Sequence, residues 1–187
     1  MNTVARMSAA ERAQAFHETA ARRNLQEAVV EKDFWVCWVL KQLFSIGAFA
    51  NRLLFKGGTS LSKIFHAINR FSEDIDIAVD YSALGFAGDR DPRQPGISNT
   101  RRAKILAEMM TECRNYIRRE FLETLAARCS DILPPDCDWA LEVDATDPNV
   151  VLFRHPTEAT ERLTYIRPQV VLELGTHAEF VPRGQFT

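Results

Sequence analysis

The stretch LLFKGGTSLSKIFHAINRFSEDIDIAVD, residues 53–80, constrains the rest of the chain more than any other. It reads as a short apolar strand, a double-glycine turn, one helix and a second strand. Gly57 and Gly58 open backbone angles closed to other residues, so the main chain can turn tightly and approach a ligand closely. Thr59, Ser60 and Ser62 follow at the start of the helix, where unpaired N–H groups and the helix dipole favour an anion. Asp74 and Asp76 stand two apart in a strand pattern, which sends both carboxylates to one face, while Ile75, Ile77 and Val79 take the other. Like charges side by side on a strand entering a core cost free energy unless a cation or partner neutralises them. Mg²⁺ suits the pair, because it binds through a few carboxylates and substrate phosphates. A phosphate cradle beside paired carboxylates points to metal-dependent nucleotide chemistry. Taken singly, the glycines also fit an ordinary turn, and the aspartates a solvated face.

Two cations flank this unit. Lys63 lies one turn after Thr59, where it either reaches a triphosphate or stands as an exposed helix lysine. Arg70 either holds a phosphate or pairs with Glu73 or Asp74. GGTSLSK lacks the Walker A spacing and is not a dinucleotide GxGxxG. The chain has no G-x-S-x-G elbow that would make Ser60 a hydrolase nucleophile.

Around this unit the chain reads as one α/β domain. Ser8 and Glu11 form a capping box opening a helix to about Arg23, and Asn24 with Glu27 repeats the signal for a second helix to about Phe44. Glu31, Lys32 and Asp33 break the apolar run of that helix and read as a solvated patch. Residues 52–56 form a core strand and 59–68 a helix. The passage GFAGDRDPRQPG is a loop by composition. Arginines 90, 93, 101 and 102 with Lys104 make residues 88–104 locally basic; this segment either guides RNA or a triphosphate, or is a solvated loop. Ser98 or Asn99 caps a long helix to about Cys129, with an apolar stripe at helical spacing. Strands follow at 138–144, 149–154 and 169–175, the first two joined by the Asp147-Pro148-Asn149 turn.

A chain of 187 residues can bury a proper core, and a net charge of −2 gives no global pull towards nucleic acid or membrane. No apolar run approaches a membrane span and the N-terminus lacks a signal peptide's apolar core, so a cytoplasmic protein is expected. Cys37, Cys113, Cys129 and Cys137 lack metal-ligand spacing and read as free thiols; the scattered histidines argue against zinc.

KGGTSLSK followed by RFSEDIDI closely resembles the paired signatures of the AbiEii family of bacterial toxins, within the polymerase-β-like nucleotidyltransferase superfamily. EKDFWVCWVLKQLF and RPQVVLELG are similar to their counterparts there, so the resemblance touches four places across roughly residues 31 to 175. It implies a nucleotidyltransferase fold: a small mixed sheet packed by helices, with a helical N-terminal part (1–50) and a catalytic core (51–175). The implied reaction moves a nucleoside monophosphate from an NTP to an acceptor hydroxyl. Gly57, Gly58, Thr59, Ser60, Lys63 and Arg70 would bind the nucleotide; Asp74 and Asp76 would bind Mg²⁺. Glu173, by itself an ordinary edge-strand charge, matches the place of the family's third carboxylate, with Asp144 in reserve. The resemblance also raises Lys32 and Asp33 as cleft residues. It further implies a type IV toxin, an AbiEi-like antitoxin partner and tRNA 3′ ends as acceptor. Family members usually continue into a helical C-terminal lobe, whereas this sequence stops twelve residues beyond Gly175. Two rival readings are an inactive NTP- or partner-binding module, and a transferase that modifies protein hydroxyls (AMPylation).

Overall fold

The computed structural model describes residues 1–57, 74–157 and 167–176. The predicted helix 59–68 and residues Gly58, Thr59, Ser60, Lys63 and Arg70 lie outside them.

Helix α1 (Asn2–Ala5) leads into α2 (Ala9–Arg23), whose N-terminus carries the predicted capping box: Ser8 Oγ accepts from Glu11 N–H and Glu11 accepts from Ser8 N–H. Asn24 does not open the next helix. It ends α2 with φ 52° and ψ 47°, the left-handed conformation that Asn tolerates better than most residues. Helix α3 (Glu27–Ser45) therefore begins after Gln26, without a side-chain cap.

Five strands form one mixed sheet: β1 (Leu53–Lys56), β2 (Asp74–Val79), β3 (Ala140–Val143), β4 (Val150–Arg154) and β5 (Gln169–Gly175), in the order β1-β2-β5-β4-β3. The predicted first core strand lies at the edge of this order. Only β2 and β5 pair in parallel; the other contacts are antiparallel. Period-two burial separates the faces. Ile75, Ile77, Val151, Phe153, Val170 and Leu172 are buried on one side with Trp35, Trp38, Val39 and Leu43 of α3. Trp38 stacks on Phe153, with ring centroids 5.7 Å apart. Truncating such a side chain costs about 3–5 kcal/mol, so the helix–sheet contact anchors the domain.

The predicted long helix is α4 (Asn99–Tyr116), a π turn (Ile117–Phe121) and α5 (Leu122–Ser130), with Ser98 Oγ accepting from Arg101 N–H. Ile105, Met109, Cys113, Ile117, Phe121, Leu125 and Cys129 are all buried, four residues apart each time. An α-helix turns about 40° too far per four-residue step, so such a stripe would wind off the core. The wider π turn takes up part of that drift.

Glu31 and Lys32 are not solvated. They are 3% and 1% exposed. Lys32 Nζ donates to Arg167 O at 3.1 Å, and Thr157 Oγ1 donates to Glu31 Oε2 at 3.2 Å. Adjacent residues of α3 thus hold the end of β4 and the approach to β5; Asp33 is half-buried. All four cysteines are free thiols; burial pushes Cys113 to about 11 and Cys129 to about 12, which keeps both protonated and unreactive. Among the described residues, no helix is long and apolar enough to cross a membrane.

Candidate active site

The site lies on the sheet face opposite α3. The alternation of β2 exposes Asp74, half-buries Asp76 and sends Ile75 and Ile77 into the core. In β5 the same alternation exposes Glu173 between buried Leu172 and Leu174. The parallel register then sets Asp76 directly beside Glu173, and Asp74 beside Val171. On the other flank, Lys56 of β1 stands opposite Asp76, and Val150 of β4 opposite Glu173. One row across the sheet therefore reads Lys56, Asp76, Glu173, Val150. Paired residues share a face, so three carboxylates lie on one face of two adjacent strands.

Electrostatics reflects this crowding. Partial desolvation, then the like charges of Asp76 and Asp74, raise the Glu173 pKa above the ordinary carboxylate value. Lys56 pulls in the opposite direction, and Asp147 pushes upward again. Neither Lys56 nor Asp147 is singled out by sequence. Lys56 carries a signal in retrospect, as the last strand residue before the glycine pair; Asp147 is recognisable there only as a turn former.

Gly57 presses against this group. Its φ is +75°, and a β-carbon there would stand 1.8 Å from Asp76 Oδ2 and 2.5 Å from Asp76 Cγ. Glycine is needed both for the angle and for the space. The group that Gly57 approaches within the described residues is the carboxylate of Asp76.

Asp144, the reserve candidate, is engaged in the β3–β4 turn. Its Oδ1 accepts from the N–H groups of Thr146 and Asp147 at 2.8 and 2.9 Å, which holds its pKa low and spends the side chain on the β3–β4 turn. The basic stretch is likewise turned onto itself. Arg90 pairs with Glu108 at 3.0 Å and Arg93 with Asp91 at 3.0 Å, while Arg101 and Arg102 donate to backbone oxygens of Asp89 and Pro92. These contacts seat the loop on α4.

The donor set is wholly oxygen, matched to a hard cation. Among the described residues, no three His, Cys, Asp or Glu side chains form a ready-made metal cage. An open set of carboxylates under mutual repulsion fits an ion that takes its remaining ligands from substrate phosphates and water, which is how Mg²⁺ is commonly held.

A family model described as nucleotidyl transferase AbiEii toxin, type IV toxin–antitoxin system, matches residues 38–186. No curated protein and no solved structure matches the chain.

Proposed function

The chain belongs to the AbiEii family of nucleotidyltransferase toxins of type IV toxin–antitoxin systems, and from that premise we propose that it transfers a nucleoside monophosphate from an NTP to the 3′ hydroxyl of tRNA. The observation that carries this reading is the register of Asp76 beside Glu173, with Asp74 two residues upstream on the same face. Asp74, Asp76 and Glu173 would hold Mg²⁺, which when bound supplies charge neutralisation for the attacking oxygen and the departing pyrophosphate. Gly58, Thr59 and Ser60 would hold the β- and γ-phosphates, with Gly57 turning the chain, Lys63 offsetting triphosphate charge and Arg70 close by. Glu173 would also help deprotonate the attacking hydroxyl, from its place directly beside Asp76. An AbiEi-like antitoxin is the partner that this reading supplies.

The test is incubation with each α-labelled NTP, Mg²⁺ and bulk tRNA, with RNA and protein resolved separately. Label in tRNA that disappears in Asp76→Ala, with the far-UV circular dichroism unchanged, is the expected result. Full activity in Asp76→Ala would sink the metal role. Label in protein would select AMPylation, and nucleotide binding without any label would identify an inactive module.

A further inference from the structure

Lys56 stands in the row that holds two of the acids, opposite Asp76, which itself lies beside Glu173. Strand alternation puts it on their face. Leu53 is buried, and Phe55 packs against the core with its ring 6.3 Å from that of Phe44 in α3, so Leu54 and Lys56 turn the other way. Lys56 is half-buried at the last position of β1, and the next residue is Gly57, which presses on Asp76.

A counterion for Asp76 is the simplest role for such a lysine, and the contacts speak against it. Among the described residues Lys56 makes no hydrogen bond or ion pair, and neither Asp76 nor Glu173 makes one. The backbone does not keep them apart, because antiparallel neighbours have α-carbons about 4.5–5.5 Å from each other. The ammonium is near enough to Glu173 to draw its pKa down, yet Asp76 and Asp74 outweigh it. A half-buried cation held beside carboxylates that it does not pair with costs free energy unless a ligand completes it.

Its position fits one kind of ligand oxygen. Displacement at phosphorus sets the attacking and leaving oxygens on opposite sides. Glu173 and Lys56 lie on opposite sides of Asp76, two strand spacings or about 10 Å apart. Reacting atoms about 3–3.5 Å apart, with a hydrogen bond of about 3 Å at either end, make a line of that scale. The sheet also has a direction here: β1 ends it on the Lys56 side, whereas β4 and β3 continue beyond Glu173.

We propose that Lys56 binds the pyrophosphate half of the NTP, pairing with a β-phosphate oxygen on the side of Asp76 away from Glu173. The proposal rests on the nucleotidyltransferase reading and adds a residue to it. In the transfer, the acceptor oxygen bonds to the α-phosphorus as the bond from that phosphorus to the bridging oxygen breaks. The bonding pair leaves with pyrophosphate and the acceptor proton passes to Glu173. Lys56 keeps its own protons and offsets the charge that builds on the leaving group.

Isothermal titration of inorganic pyrophosphate into the full chain, with Mg²⁺ and without NTP or RNA, reads this contact without turnover. The comparison is with Lys56→Gln, Lys56→Arg and Lys41→Gln, the last removing the same charge from an exposed position of α3. Lys56→Gln is expected to bind about tenfold more weakly, the loss of one charge-assisted hydrogen bond. Lys56→Arg and Lys41→Gln should stay close to the unaltered protein. Equal affinity in Lys56→Gln would overturn the proposal, and so would a failure of the unaltered protein to bind pyrophosphate. Far-UV circular dichroism checks each fold, and Lys56→Met, which keeps the apolar stem, replaces Lys56→Gln if that variant does not fold. Unfolding of both would make Lys56 a structural counterion and overturn the proposal as well. Failure of the catalytic reading shows separately, as Lys56-dependent pyrophosphate binding with no label transferred from any NTP. Where transfer occurs, Lys56→Gln should raise the inhibition constant for pyrophosphate by about the same factor and leave KM for tRNA unchanged.

Discussion

Gly57 and Asp76 share one space: the α-carbon of the glycine packs so closely on the carboxylate that an added methyl would overlap Oδ2 at 1.8 Å. The glycine that follows β1 therefore also sets where an acid on the neighbouring strand can lie. A residue read from sequence as serving phosphate bears on the carboxylate face as well.

Gly57→Ala should accordingly behave as an Asp76 variant. Transfer activity is expected to fall at least 100-fold, with a loss of stability of about 1–3 kcal/mol from the forced left-handed residue. Activity assay beside urea unfolding checks both. Near-normal activity would show that Asp76 can move aside without consequence.

Glu173→Gln removes one of three crowded negative charges. Because the folded-state pKa is raised, the protonated carboxyl favours the folded state below its unfolded pKa, near 4.5, and that contribution is lost as pH climbs through the folded value. At neutral pH without divalent ions the variant should thus melt slightly higher, by about 1–2 °C for an exposed group. Mg²⁺ should raise the melting temperature of the unaltered protein and not of the variant.

His155 is buried against α3. Its ring stacks on Trp35 at 5.6 Å, its Nδ1 lies 2.9 Å from Pro156 O, and burial lowers its pKa to about 4. The neutral ring favours folding above pH 6.5, and that contribution is lost progressively as pH falls towards 4. The shift corresponds to on the order of 3 kcal/mol. His155→Phe should keep the stack, and its urea midpoint should change less between pH 7.5 and pH 5 than that of the unaltered protein. Equal pH sensitivity would assign the acid response elsewhere.

Deletion of Arg118, exposed within the π turn, should convert that turn to regular α-helix. The flanking residues then keep their faces, so a stability change of about 1–2 kcal/mol at most is expected. Deletion of Ala107 within α4 should instead rotate the buried stripe by about 100° and unfold the domain. Circular dichroism melts of the two variants decide the matter; equal damage in both would remove the adaptive role of the π turn.

The strands and the acid face were legible because period-two alternation is a local signal: DIDI and VVLELG state which side chains enter the core before any partner strand is known. Capping at Ser8 was legible for the same reason. What escaped depends on distant partners. Glu31 and Lys32 look solvated by charge, yet they are buried because Thr157 and Arg167, more than a hundred residues away, supply their hydrogen bonds. Asp144 and Glu173 are both acids in or beside strands; only the local N–H groups of Thr146 and Asp147 distinguish the turn cap from the acid that stands beside Asp76. Asn24 carried the composition of an N-cap and took the left-handed C-cap instead, a choice made by where α2 runs out.

The sheet order has a consequence for how the protein is made. Strand β5 lies between β2 and β4, although it is the last of the five to be synthesised. Until residues 169–175 emerge, β1–β2 and β3–β4 are separate pairs with open edges, and Glu173 has not joined the aspartates. Insertion of a central strand across so long a sequence separation is a slow, non-local step, and the open edges invite mispairing meanwhile. On the proposed chemistry, a nascent chain is harmless throughout translation of its first four strands. The closing of the sheet is what arms it.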